Sequence, residues 1–192
     1  MNKYNTLNLG ILLRDYDEGI VSKKIQDFNC PINEEINNFF HTKAIGSVKR
    51  HQTSTFLIVD EDSQINGFYS LTHKSLEVSA VNLSKTYAKK ISIYSDFDEY
   101  RNTYYISAFL IAQFGKNQNI PKSNVITGDE MMEMVLNHLR TIRDEIAGNV
   151  VYLECENKEK LILFYQRNGF VKFGERFSTT ENTNYIQMLR FL

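Results

Sequence analysis

The chain has 192 residues, one domain's worth, and at that size a fold can bury roughly 70% of its unfolded surface without covalent staples. It is 42% apolar and 23% charged, far from the composition of a disordered chain, and its net charge of −1 disfavours tight RNA binding through charge alone. Cys30 and Cys155 are the two cysteines, which argues against a disulfide framework and for a reducing compartment. The longest mainly apolar run, residues 104–114, is broken by Ser107 and Gln113 and is too short to span a bilayer. Arg14 and Asp15 follow the brief run 9–13 at once, unlike a signal peptide. The expectation is a cytoplasmic protein with no membrane partner. No repeat or linker divides it, so residues 1–192 are read as a single domain.

In chain order, residues 6–13 read as a first strand. Pro31 suits the first position of a helix, after Asn29 or Cys30, and Ile32, Ile36, Phe39 and Phe40 would form its apolar face. Residues 54–59 and 65–71 flank a polar turn, a hairpin signal. A short helix is expected near 83–90. Residues 104–111 are nearly all apolar, as in a strand buried on both faces, and Gly115 ends it or marks a bulge. Thr127-Gly128 leads into a helix with Met131, Met134, Val135, Leu136 and Leu139 inward, and Asp129 and Glu130 suit its positive end. Gly148 closes that helix. A buried strand at 150–153, a helix at 158–168 stopped by Asn168-Gly169, and antiparallel strands at 170–177 and 185–191 complete the chain. The order β, α, β, β, β, α, β, α, β, β predicts an α+β fold with at least one β-α-β crossover.

Charge is unevenly spread. Acid-free segments hold His41, Lys43, Lys49, Arg50 and His51, then Lys85, Lys89 and Lys90, then Arg101, Lys116 and Lys122. Such fields favour an anionic ligand, although solvated basic faces would look the same. The four histidines and two cysteines make no metal-ligand spacing, so no metal is expected. A helix opened by Thr127-Gly128 would offer the amides of Ile126, Thr127, Gly128 and Asp129 to a phosphate. A plain N-cap threonine explains the same pair.

The stretch Phe164-Tyr165-Gln166-Arg167-Asn168-Gly169-Phe170 resembles the helix-to-strand signature of the GCN5-related N-acetyltransferase superfamily: Tyr, three variable residues, then Gly-Phe. The order of strand, loop, helix and buried strand ahead of it matches as well. Phe28-Asn29-Cys30 before a helix, Thr55-Phe56-Leu57-Ile58-Val59 and Gly67-Phe68-Tyr69-Ser70-Leu71 resemble the toxin-like branch that acts on aminoacyl-tRNA. The resemblance covers most of the chain. It implies a central mixed, mostly antiparallel twisted sheet flanked by helices, and acetyl-CoA as co-substrate without a metal. It implies further that a primary amine attacks the thioester directly. Phe114, Gly115 and Lys116 would carry the bulge that binds the pantetheine arm and thioester carbonyl. Ile126, Thr127, Gly128 and Asp129 would meet the pyrophosphate, and Asn157 and Lys158 would stand where an asparagine commonly opens the next helix. Tyr165 would protonate the departing thiolate, and Glu154, or Glu156, would accept the amine's proton through water. The segment Ser123-Asn124-Val125-Ile126-Thr127-Gly128 keeps only the last glycine of the family's phosphate loop. The acceptor would be the amine of a small molecule, a peptide or an aminoacyl-tRNA, and an antitoxin-like partner or a homodimer fits the branch. A non-catalytic module that binds coenzyme or a partner is the alternative.

Overall fold

The computed structural model describes residues 3–120 and 126–192. Lys122, Ser123, Asn124 and Val125 lie outside the described residues.

The first strand is shorter than the apolar run suggests. β1 (Asn5–Asn8) ends because the Asn8 side chain accepts hydrogen bonds from the amides of Gly10 at 2.8 Å and Ile11 at 3.3 Å. That N-cap turns the rest of the run into α1 (Leu9–Asp15). α2 (Glu18–Ile25), capped by Asp17, was not foreseen, since it buries only Val21 and Ile25. Pro31 is not the first helical residue. Asn33 caps α3 (Glu34–Asn38) by accepting from the Ile36 amide at 3.2 Å, so Pro31 falls in the preceding turn and Ile32 is left 77% exposed. A π-helical turn (Phe39–Lys43) leads into α4 (Ala44–Lys49).

The hairpin is where it was expected, as β2 (Ser54–Val59) and β3 (Ile65–Ser79), with β3 running well beyond Leu71. After α5 (Lys85–Ile91) comes β4 (Ser95–Asp98), whose two aspartates in four residues hid it. β5 (Thr103–Lys116) is buried on both faces over its middle, with Ile106 and Ala108 on one face and Phe109 and Ile111 on the other, while Ser107 is exposed. α6 (Gly128–Ile146), β6 (Val150–Glu156), α7 (Glu159–Arg167), β7 (Val171–Ser178) and β8 (Thr183–Phe191) follow. In α6 the buried pair is Met131 and Met132, rather than Met131 and Met134.

The strands order as β1-β2-β3-β5-β6-β8-β7, and β4 pairs with β5 off this path. β5 and β6 are parallel, joined through α6; β1–β2, β2–β3, β4–β5, β6–β8 and β7–β8 are antiparallel. This is the mixed, mostly antiparallel sheet that the resemblance implies, with the β-α-β crossover expected from the order of elements.

The chain forms two compact units, and β3 and β5 each pass through both. The first comprises Met1–Thr72 and Ile111–Val135. Its core gathers Leu9, Ile25, Phe28, Phe40, Ala44, Leu57 and Phe68. The rings of Phe28, Phe40 and Phe68 lie 4.0 to 5.2 Å apart, and each fully buried phenylalanine contributes about 1.5–3 kcal/mol. The second unit comprises His73–Leu110 and Leu136–Leu192. There Leu76, Val78, Ile106, Val150, Tyr152, Phe173 and Leu189 are closed over by Ile91, Leu83 and Tyr87 from α5 and its approach.

Candidate active site

The Tyr-x-x-x-Gly-Phe stretch is a helix stop. α7 ends with the Gly169 amide donating to Gln166 O at 2.9 Å and the Phe170 amide donating to Tyr165 O at 3.0 Å. This paired closure needs a left-handed residue after the cap, and Gly169 supplies it at φ +82°. An apolar contact between the residues at the two ends of the longer bond accompanies it, here the edge-on rings of Tyr165 and Phe170 at 5.9 Å. The Phe164 ring also packs edge-on against Tyr165, at 4.9 Å. Tyr165 is thus clamped, 8% exposed, while its hydroxyl has no hydrogen-bond partner among the described residues. The hydroxyl is not sealed from solvent either, since Asn66 Oδ1 is the sole sealed and unpartnered side-chain atom among those residues. Burial first, and the nearby Cys155 second, push the phenol above its ordinary range.

In the first unit, β5 ends at the Phe114, Gly115 and Lys116 named from sequence. A Cβ on Gly115 would lie 2.6 Å from Ile36 Cγ2 and 2.8 Å from Phe68 Cε1, so close packing requires this glycine. Gly115 and Asn117 both turn main-chain groups toward β3. Asn117 donates its amide to Asn66 O at 2.9 Å, and Gly115 O would stand 2.9 Å from a Cβ on Gly67. Main-chain direction alternates along a strand, so the Lys116 amide points to the opposite edge. The paired positions of β5 and β6 are Phe109↔Val151 and Leu110↔Tyr152, and β5 continues beyond them to Lys116.

The start of α6 carries a capping box. The Thr127 amide and Oγ1 both donate to Glu130 Oε2 at 2.7 Å, and the Glu130 amide donates back to Thr127 Oγ1 at 3.1 Å. These bonds hold the Glu130 carboxyl below the usual carboxylate range. Ile126 is fully buried, whereas Thr127 and Asp129 are exposed. Of the four amides expected to face phosphate, Thr127's is already engaged by a carboxylate. The sequence reading missed this, although Thr127-Gly128-Asp129-Glu130 spells the capping-box signal.

In the second unit, Glu154 on β6 is half-buried and fully engaged. Oε2 accepts from Arg176 Nε at 2.8 Å and Nη2 at 2.6 Å, and Oε1 accepts from Gln187 Nε2 at 2.8 Å. Burial raises its pKa, but the bonds from Arg176 and Gln187 outweigh that and hold the carboxyl below its usual range. Arg176 and Gln187 were not singled out from sequence; the β6–β8–β7 register brings them there. Asn157 and Lys158 are exposed at the start of α7, which has no side-chain cap, and Lys158 Nζ pairs with Glu156 Oε2 at 2.5 Å. In the basic segment of the first unit, Lys49 pairs with Glu18 and Arg50 Nε donates to Gln52 at 3.2 Å. Among the described residues no group of three or more His, Cys, Asp or Glu could hold a metal ion, and no helix is long and apolar enough to cross a membrane.

No family model matches the chain, and no curated protein matches it in sequence. Solved structures match it in shape. A tyrosine-to-phenylalanine variant of KacT superposes with a TM-score of 0.66 at 17% identity, covering 97% of this chain and 94% of that one. AtaT complexed with acetyl-methionyl-tRNAfMet gives 0.64 at 17% identity, covering 95% and 93%. AtaTR bound with AcCoA gives 0.59 at 16% identity, covering 97% and 94%. Over nearly its whole length, the chain has the GCN5-related acetyltransferase fold in the form these toxin structures take.

Proposed function

We propose that the protein is an acetyl-CoA-dependent N-acetyltransferase that moves an acetyl group to a primary amine by direct attack. The observation that carries this reading is Tyr165, a tyrosine clamped by the α7 stop with its hydroxyl unengaged. In the reaction a C–N bond forms, the thioester C–S bond breaks, the amine gives up a proton and the departing thiolate takes one. Tyr165 donates a hydrogen bond to that sulfur and passes its proton to it, regaining one from water afterwards. Because burial keeps the phenol protonated, it acts as a standing donor throughout the working pH range. The Lys116 amide donates to the thioester oxygen as negative charge grows there, with Phe114 and Gly115 beside the pantetheine arm.

Asn157 offers its side-chain amide to the coenzyme's phosphates, and Lys158 offers its cation once a phosphate displaces Glu156 from it. A pyrophosphate at Ile126, Thr127, Gly128 and Asp129 has to displace Glu130 from the Thr127 amide. Glu154, ionised and held by three donors, is a weak base, so we assign it to holding Arg176 in place. The amine then passes its proton to water.

For the acceptor, the likeness to AtaT complexed with acetyl-methionyl-tRNAfMet supports the amino group of an aminoacyl-tRNA, and the likeness to an AtaT variant bound to the C-terminus of the antitoxin AtaR supports an antitoxin-like partner. The ion pairing of Lys49 leaves Lys43 and Arg50 as the cations of that segment for RNA. Thiol release from acetyl-CoA, measured against a panel of amines, peptides and charged tRNAs, tests the reading. Turnover with one acceptor class supports it and names the class. Coenzyme binding without turnover on any of them favours the non-catalytic module, which the capping box at Thr127 also suits.

A further inference from the structure

Asn117 follows the proposed oxygen donor Lys116 and is 2% exposed. Its single side-chain amide satisfies main-chain groups of three segments. Nδ2 donates to Ile65 O at 2.7 Å, while Oδ1 accepts from the Asn29 amide at 3.1 Å and the Asn119 amide at 2.9 Å. The main chain adds two more ties: Asn117 N to Asn66 O at 2.9 Å, and Gln118 N to Asn29 O at 2.8 Å. The Asn29 segment is anchored in turn from α3, where Asn37 Oδ1 accepts from the Cys30 amide at 2.6 Å and Nδ2 donates to Asn29 Oδ1 at 3.3 Å. One buried group must donate in one direction and accept in the other. An aspartate would set oxygen against Ile65 O, and an apolar residue would orphan all three partners.

We propose that Asn117 is a positioning residue for acetyl transfer: by tying β3 and the Asn29 segment to the residue after Lys116, it aims the Lys116 amide before the thioester arrives. This rests on the acetyltransferase reading above. With its side chain held by three hydrogen bonds and its own N–H bonded to Asn66 O, Asn117 restrains rotation of the peptide before it, so the Lys116 amide one residue earlier keeps its direction. Donors set in advance stabilise developing charge without reorganising at the moment of reaction.

Difference infrared spectroscopy of carbonyl-labelled acetyl-CoA on the full chain tests it. In the parent protein, the bound thioester stretch falls below that of free acetyl-CoA. In Asn117→Ala it returns most of the way to the free value, acetyl-CoA affinity stays within about threefold, and single-turnover transfer falls about tenfold, as expected when a donor is misaimed rather than removed. An unshifted stretch in the parent would sink the Lys116 donor itself. A parental shift retained in Asn117→Ala overturns the positioning role while leaving that donor standing. If Asn117→Ala does not fold, Asn37→Ala decides, because Asn37 is only partly buried and loosens the same segment one bond further out. A smaller return toward the free stretch supports the role, and no return overturns it.

Discussion

Two helix ends make an instructive pair. At the start of α6, side chains close the helix: Thr127 and Glu130 satisfy one another, and an acidic group stands where a phosphate would be received. At the end of α7 the backbone closes the helix through Gly169, which leaves Tyr165 clamped but chemically uncommitted. A cap made from side chains consumes the polar groups of its end. A cap made from main chain leaves the side chain available for other work. The second end therefore carries the stronger claim to chemistry, and the first is where the chain departs most from its resemblance.

Gly169→Ala breaks the α7 side of this contrast. At φ +82° an alanine Cβ costs about 1–2 kcal/mol, and it would also sit 3.0 Å from Arg190 Nη1. Denaturant unfolding should show a loss of that order, and an unchanged midpoint would mean that α7 can end without a left-handed residue. Glu130→Gln addresses the α6 side. Gln can still accept from Thr127, so the cap should persist while the charge goes. If a coenzyme phosphate sits at this helix start, CoA affinity should rise by about threefold, the size of one charge repulsion across several ångströms of solvent. Titration calorimetry with no change in affinity would move the phosphate seat elsewhere. The smallest effect belongs to Glu154→Gln: acetyl transfer should change by less than about threefold, against the 10²-fold or more expected on losing a general base. A loss of that larger size would restore Glu154 as the base.

Much of this was legible in the sequence, for identifiable reasons. The 54–71 hairpin, the apolar face of α6 and the Asn168-Gly169 stop rest on strong local signals, namely a polar turn between β-rich runs, helical spacing, and a glycine after a helix. The residues 9–13 satisfy strand and helix alike, and the Asn8 cap decided the matter. β4 holds only four residues, two of them aspartate, so its strand character comes from pairing with β5 rather than from its own composition. At the site, Tyr165 was visible through its motif. The Arg176 and Gln187 contacts to Glu154 were not, because register across three strands creates them. Asn117 was equally hidden: a lone asparagine after a strand says nothing until residues 29 and 65 are brought to it.

The most direct measurement is pre-steady-state acetyl transfer by Tyr165→Phe beside the parent, followed from pH 7 to 10. The variant keeps the ring contacts with Phe164 and Phe170, so folding should be preserved and coenzyme affinity little changed. The parental rate should rise with pH as the acceptor amine loses its proton. It should show no alkaline fall below about pH 10, because burial raises the phenol above its ordinary value and Tyr165 stays protonated there. Tyr165→Phe should be slower by roughly 10²- to 10⁴-fold across that range. A variant that transfers acetyl at the parental rate would make Tyr165 a packing residue and remove the central support for this chemistry.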